Sequence, residues 1–199
     1  MVRLAEAMAY AENALQELQR TNQELGHLAA TDPLTGAENR RRFMERVDVE
    51  IGRTKRGGAP FSVLALDLDN FKSINDRFGH QVGDDILKSF VEKCLDSIRP
   101  YDGVARVGGE EFMILLPQTS LEGAHEIAER LRSTVANSSF HGLQRPTVVT
   151  VSIGVSQSGR DGDTIEAILR TADQRLYHAK HQGRNRVVTT IQTSLQPLP

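Results

Sequence analysis

Apolar positions follow two different rhythms along the chain. Near the amino terminus they step by four and by three. Leu4, Met8, Ala11, Leu15, Leu18, Asn22 and Leu25 trace the a/d seam of a coiled coil. Glu12, Glu17, Arg20 and Glu24 fall off that seam. Asn22 sits at an a-type position, where a buried amide favours a parallel dimer in fixed register. The competing reading is a lone amphipathic helix packed on its own domain. Gly26 and Asp32-Pro33 end the pattern, because proline disfavours helix for the residue before it.

Beyond Asp32 helical and strand-like patterns alternate. A helix is expected over 38–55, then a turn at Gly57 to Pro60. FSVLALDL (61–68) reads as a buried strand that ends in acids. Ile86, Leu87, Phe90, Val91, Cys94, Leu95 and Ile98 share one face of a helix over 84–98, which makes Cys94 a core residue. GVARV and EFMILLP form two strands joined by a tight connection, with Gly108 and Gly109 expected to supply positive φ at the reversal. Thr119 with Glu122 resembles a capping box for a helix over 120–136. VVTVSIGVS (148–156) is strand-like, Asp163 and Glu166 cap a helix that runs to Gln182 before Gly183, and RVVTTI closes as a last strand. The fold class implied is α/β, a mixed central sheet of about five strands wrapped by helices. Three segments follow: a coiled-coil dimerisation and signalling helix (1–30), a globular domain (31–190) and a frayed tail (191–199).

Composition narrows the partners. A chain of 199 residues, 39% hydrophobic and 25% charged, suits one compact domain plus some extra. Its formal net charge of -2 announces no nucleic-acid surface, so an anionic ligand must be met by locally placed cations. A single cysteine excludes a disulfide framework. No apolar stretch is long enough to span a bilayer and no signal peptide is evident, so the expected location is cytoplasmic.

Two strand ends carry the candidate chemistry. Asp67 and Asp69 terminate one strand, and Glu110 and Glu111 begin another. Adjacent carboxylates repel unless a cation or shared proton compensates. If these strands are neighbours, Asp67 and Glu110 converge on one hard cation, and oxygen-only ligands favour magnesium or manganese over zinc. Phe71 and Lys72 follow the strand end, where backbone N–H groups and a cation can receive phosphate. Asn75 and Asp84 supply an amide and a carboxylate that suit the paired donors of a guanine edge, and Lys180 and Arg184 can neutralise polyphosphate. His178 and His181 share a helix face without a third ligand and are expected to face solvent.

TDPLTGAENRR (31–41), LDLDNFKSINDRFGHQVGDDIL (66–87), RVGGEEF (106–112), VSIGVS (151–156) and ADQRLYHAKHQGRNRV (172–187) together resemble the GGDEF family of diguanylate cyclases, in its GGEEF form. The resemblance implies a cyclase- and palm-like fold that condenses two GTP into cyclic di-GMP and two pyrophosphates. It implies Mg2+ (or Mn2+) on the side chains of Asp67 and Glu110 and on the Leu68 carbonyl. Glu111 becomes either a second-metal ligand or the base for the attacking 3′-hydroxyl. By the same resemblance Asn75 and Asp84 read guanine, Leu34 and Leu87 enclose the base, and Phe71 and Lys72 cradle phosphates. Lys180 and Arg184 hold the β/γ end, and Arg106 reaches a phosphate. Arg99 and Asp102 match an RxxD product-inhibition site, with Arg130 as a secondary arginine. The implied partners are GTP, the product, a second copy through the coiled coil, and an upstream sensor outside this chain. Ala37 and Arg175 depart from the family pattern, Arg175 on an expected exposed face. Two other readings compete: a catalytically silent GTP or cyclic di-GMP receptor with a dimerisation role, and a hybrid cyclase making cyclic GMP-AMP.

Overall fold

The computed structural model describes residues 30–140, 143 and 147–190. The expected coiled coil over 1–30 and the tail over 191–199 therefore lie outside the described residues, apart from Ala30.

Seven consecutive buried residues make Ser62–Leu68 (β2) the spine of the domain. It runs antiparallel to Glu111–Leu116 (β4) on one side and to Val151–Gln157 (β5) on the other. Gly103–Arg106 (β3) extends the sheet beyond β4, and Glu38–Asn39 (β1) and Val187–Val188 (β6) add short parallel edges, giving the order β1-β3-β4-β2-β5-β6. Strand alternation divides the core. Leu64, Leu66 and Leu68 pack with Phe90, Phe112 and Leu131 beneath His80–Asp96 (α3) and Leu121–Asn137 (α4). Val63 and Ala65 pack with Phe43, Val47 and Leu176 beneath Arg40–Lys55 (α1) and Ile165–His181 (α5). The short Phe71–Phe78 (α2) follows β2 directly and buries Phe71 and Ile74. Cys94 is fully buried, as its helical face predicts.

Several boundaries differ from the sequence expectation, each for a local reason. The first helix starts at Arg40 rather than 38, because Glu38 and Asn39 pair with β3 and Asn39 then caps by accepting from the Arg42 amide at 2.9 Å. The helix expected from 84 begins at His80. Ser120, not Thr119, caps α4, since the Thr119 hydroxyl donates to the Pro117 carbonyl instead. Thr164, not Asp163, caps α5. The last strand shrinks to Val187–Val188.

Arg175 reverses its expectation most clearly. Far from facing solvent, it is 8% exposed. Its guanidinium donates to both Asp161 carboxylate oxygens at 2.7 Å and to the Val155 carbonyl at 2.6 Å. Opposite it, Gly154 lies so close to the Ala172 carbonyl and the Leu176 amide that a side chain there would overlap helix backbone. Glycine contact and arginine clamp together fix α5 on β5, and so fix Lys180 further along the same helix. Arg175→Ala leaves the largely buried Asp161 carboxylate without its counter-charge and with only the Gln157 amide as donor, and is expected to lower the unfolding free energy by about 3 kcal/mol in urea denaturation. Replacing Arg175 and Asp161 together by apolar residues is expected to cost less.

Candidate active site

The antiparallel register of β2 and β4 places Asp67 directly opposite Glu111, on the same face of the sheet. One step further the Leu68 amide donates to the Glu110 carbonyl at 3.3 Å. The strand-end carboxylates therefore meet at one end of the sheet. Glu111 is the direct cross-strand partner of Asp67, whereas the sequence reading paired Asp67 with Glu110. Asp67 is 7% exposed, and Lys180 from α5 pairs with its Oδ2 at 2.6 Å. Burial, joined by the charges of Glu110 and Glu111, holds the Asp67 carboxyl above its ordinary pKa even though Lys180 opposes the shift. A carboxylate held this way wants more positive charge than one lysine supplies. Among the described residues, no three His, Cys, Asp or Glu side chains are grouped to hold a metal ion unaided.

Asp69, two residues on, does something different. It accepts from the Thr150 hydroxyl at 2.7 Å, the Ser152 hydroxyl at 2.7 Å and the Asn185 amide at 3.0 Å. Its oxygens are engaged by the protein itself. They tie β5 to the turn after α5, where Gly183, Arg184 and Asn185 all take positive φ. Arg184 is thereby held at the same sheet end with its side chain exposed. Nothing in the sequence separates Asp67 from Asp69; only their hydrogen bonds do.

Next to these acids begins α2, the first element after β2. Asn70 caps it in a left-handed conformation without a side-chain hydrogen bond. The first-turn N–H groups, those of Phe71 and Lys72 among them, have no side-chain partner, and Lys72 is exposed beside them. Deeper along α2, the Oδ1 of Asn75 is buried without a hydrogen-bond partner. It occupies space that a side chain at Gly83 of α3 would need. Asp84 follows Gly83 and has no ion pair among the described residues. Leu34 packs against the same core cluster as the buried Leu87. The start of α2, the Asn75 amide and the Gly83–Asp84 step of α3 thus lie next to one another. Gly83 was missed in the sequence, where a mid-helix glycine has no signal of its own.

The two glycines of the turn correct the sequence expectation, and Arg106 holds the turn in place. Arg106 donates through Nε and Nη2 to the Gly109 carbonyl at 3.0 and 2.8 Å, and through Nη1 to Asp32 at 3.1 Å. It braces the turn against the segment that carries Asp32. Neither Gly108 nor Gly109 lies in the left-handed region. A Cβ on Gly108 would come within 2.6 Å of Glu111 Oε2, the end of an exposed side chain that can turn aside.

On the α1–α5 face, an open groove of about 780 Å3 runs to the same acids. Met44, Met113 and Leu169 contribute its apolar lining, while Arg40, Glu111, Asp173 and Lys180 supply charge. Tyr177 stacks with His181 at a ring distance of 4.1 Å, and His181 is exposed as expected.

At the far end of α3, Arg99, Asp102 and Arg130 come together. The Arg99 amide donates to Asp102 Oδ2 at 2.8 Å, and Arg130 donates to the Ser97 carbonyl at 2.6 Å. Asp102 Oδ1 is buried without a partner, and burial raises the carboxyl pKa against its hydrogen bond from the Arg99 amide and the charges of Arg99 and Arg46. Arg46 of α1 supports this loop through the Tyr101 carbonyl at 2.5 Å and Glu38 at 2.6 Å.

Comparison with known proteins identifies a family and several relatives. The family described as "Diguanylate cyclase, GGDEF domain" matches residues 29–186. The response regulator PleD of Caulobacter vibrioides is 46% identical over 164 residues, which cover 81% of this chain and 36% of PleD. Diguanylate cyclase DgcP of Pseudomonas aeruginosa is 43% identical over 159 residues, covering 80% of this chain and 24% of DgcP. This chain therefore spans well under half the length of either relative. Among solved structures, the active GGEEF domain of a diguanylate cyclase from Vibrio cholerae superposes with a TM-score of 0.73 at 37% identity, covering 78% of this chain and 98% of that one. The coiled coil and GGDEF domain of DgcB from Caulobacter crescentus, in complex with c-di-GMP, gives a TM-score of 0.73 at 28% identity and covers 95% of this chain and 98% of that one.

The two neighbouring aspartates are expected to respond oppositely to removal. Asp67 has a folded pKa above its unfolded value, so its stabilising contribution is complete below the unfolded pKa and is lost as pH rises through the folded one. Asp67→Asn is therefore expected to match the parent in acid and to gain on it in thermal unfolding as pH rises beyond the carboxylate range. Asp69→Ala, which orphans two hydroxyls and an amide, is expected to cost about 2–4 kcal/mol throughout.

Proposed function

The chain belongs to the GGDEF diguanylate cyclase family, and from that premise we propose that it condenses two GTP into cyclic di-GMP and two pyrophosphates. The observation that carries this reading is the meeting of Asp67, Glu111 and Lys180 at one strand end, beside the uncapped start of α2. Such an end can receive a triphosphate, with amides and cations on its phosphates and carboxylates beneath them.

The donor set fits a hard divalent ion. Asp67 and Glu110 are the proposed side-chain ligands, with the Leu68 carbonyl beside them, and no soft ligand lies in this group. Glu111, opposite Asp67, is the further candidate ligand or base. Bound Mg2+ (or Mn2+) would supply charge compensation at the α-phosphoryl group. Lys180, now paired with Asp67, turns to the β/γ-phosphates alongside Arg184 once that compensation is present. Lys72 and the Phe71 and Lys72 amides hold phosphate, Asn75 and Asp84 read the guanine edge, and Leu34 and Leu87 face the base.

Each condensation forms a bond from a 3′-hydroxyl oxygen to the α-phosphorus of the other GTP. The α–β phosphoanhydride bond breaks and pyrophosphate leaves. The hydroxyl proton passes to Glu111 or to water. One domain carries one such site, so cyclisation needs a second copy facing it. The heptad segment over 1–30 provides the tether, raising the effective concentration of one domain near its partner to about millimolar. Arg99, Asp102 and Arg130 form the proposed product-inhibition site, where the unpartnered Asp102 Oδ1 is an acceptor for a guanine edge.

Incubating the purified chain with Mg2+ and GTP, with and without ATP, and identifying products by mass tests the reading. Cyclic di-GMP and pyrophosphate in a 1:2 ratio are expected in both mixtures. Binding without turnover would identify a receptor, and cyclic GMP-AMP would identify a hybrid cyclase; either overturns the proposal. In the same assay Arg99→Ala is expected to keep turnover while losing inhibition by added cyclic di-GMP.

A further inference from the structure

Gly83 lies inside α3 and is buried. Its φ is not left-handed, so nothing in its backbone requires glycine. Local propensity favours alanine at such a position, because glycine loses more chain freedom on entering a helix. What glycine provides here is space. A methyl group on Gly83 would overlap Asn75 Oδ1, and would come within 3.0 Å of Asn75 Cγ and 3.2 Å of Phe71 Cζ. Into that space α2 inserts the Asn75 amide, whose Oδ1 is buried yet has no hydrogen-bond partner. A buried amide oxygen without a donor is costly unless something else completes it. Phe71 closes one side of the slot, and Asp84 follows Gly83 on the same helix turn.

We propose that Gly83 is a specificity-determining position: its bare α-carbon seats the Asn75 amide beside Asp84 so that the pocket reads the 2-amino group of guanine. A half-turn of the amide exchanges Oδ1 with Nδ2, so the seat serves either orientation. With any side chain at Gly83 the amide is displaced, and a purine lacking the 2-amino group is no longer rejected. The inference rests on the assignment of Asn75 and Asp84 to the base made above.

Binding can be read without turnover by using 3′-deoxyguanosine and 3′-deoxyinosine triphosphates, which lack the attacking hydroxyl and differ only at the 2-amino group. The readout is the ratio of their dissociation constants on the full chain, measured by calorimetry with Mg2+. The parent is expected to prefer the guanine nucleotide. Asn75→Ala and Gly83→Ala are each expected to reduce that preference by about ten-fold. The double variant should lose no more than either single one, because both remove the same contact. If Asn75→Ala lowers the ratio but Gly83→Ala leaves it within about two-fold of the parent, the role of Gly83 fails while base reading stands. If Asn75→Ala leaves it unchanged, base reading fails and this inference with it. Should Gly83→Ala not fold, the double variant, which relieves the overlap, is expected to fold; its failure as well would overturn the inference.

Discussion

Like charges brought together at a sheet end are the constraint on which the rest of the molecule depends. The pairing of β2 with β4 sets Asp67 across from Glu111, with Glu110 one step away. Backbone hydrogen bonds enforce that meeting whatever the side chains prefer. Among the described residues Lys180 alone pairs with Asp67, and burial still leaves the Asp67 carboxyl above its ordinary pKa. The fold therefore holds an electrostatic deficit in place at this end of the sheet. A divalent ion with a triphosphate is the chemistry we propose to relieve it.

Rigid neighbours keep the deficit from relaxing. Gly154 and the Arg175–Asp161 clamp lock α5 against β5, so Lys180 approaches from a fixed helix. Asp69 fastens the turn that carries Arg184. Arg106 braces the hairpin through Gly109 and Asp32. Apart from Gly154, each of these is a charged group whose partners belong to the protein. Two of the proposed ligand groups, by contrast, have unfilled valences: Asn75 Oδ1 has no donor, and the α2 terminus has no side-chain cap.

The sequence made the spine and the acids legible because both are local signals. A continuous apolar run can only be buried on two faces, and two carboxylates at its end require compensation. The helices over 40–55, 121–137 and 165–181 were visible from their periodicity to within about two residues. What escaped depended on contacts distant in sequence. Arg175 and Asp161 are paired by the α5–β5 packing, and Arg106 with Asp32 by a separation of 74 positions. The edge strands β1 and β6 are two residues each, too short for any alternation to register. Gly108 and Gly109 looked like glycines demanded by positive φ, but neither lies in the left-handed region. Gly83 carried no pattern at all.

Metal binding tests the central claim most directly. Mn2+ can be titrated into the full chain with 3′-deoxyguanosine triphosphate and followed by electron paramagnetic resonance, for the parent and for Asp67→Asn. The account predicts a protein-bound Mn2+ signal in the parent, weakened by at least about ten-fold in the variant. Equal binding in the two proteins would contradict it.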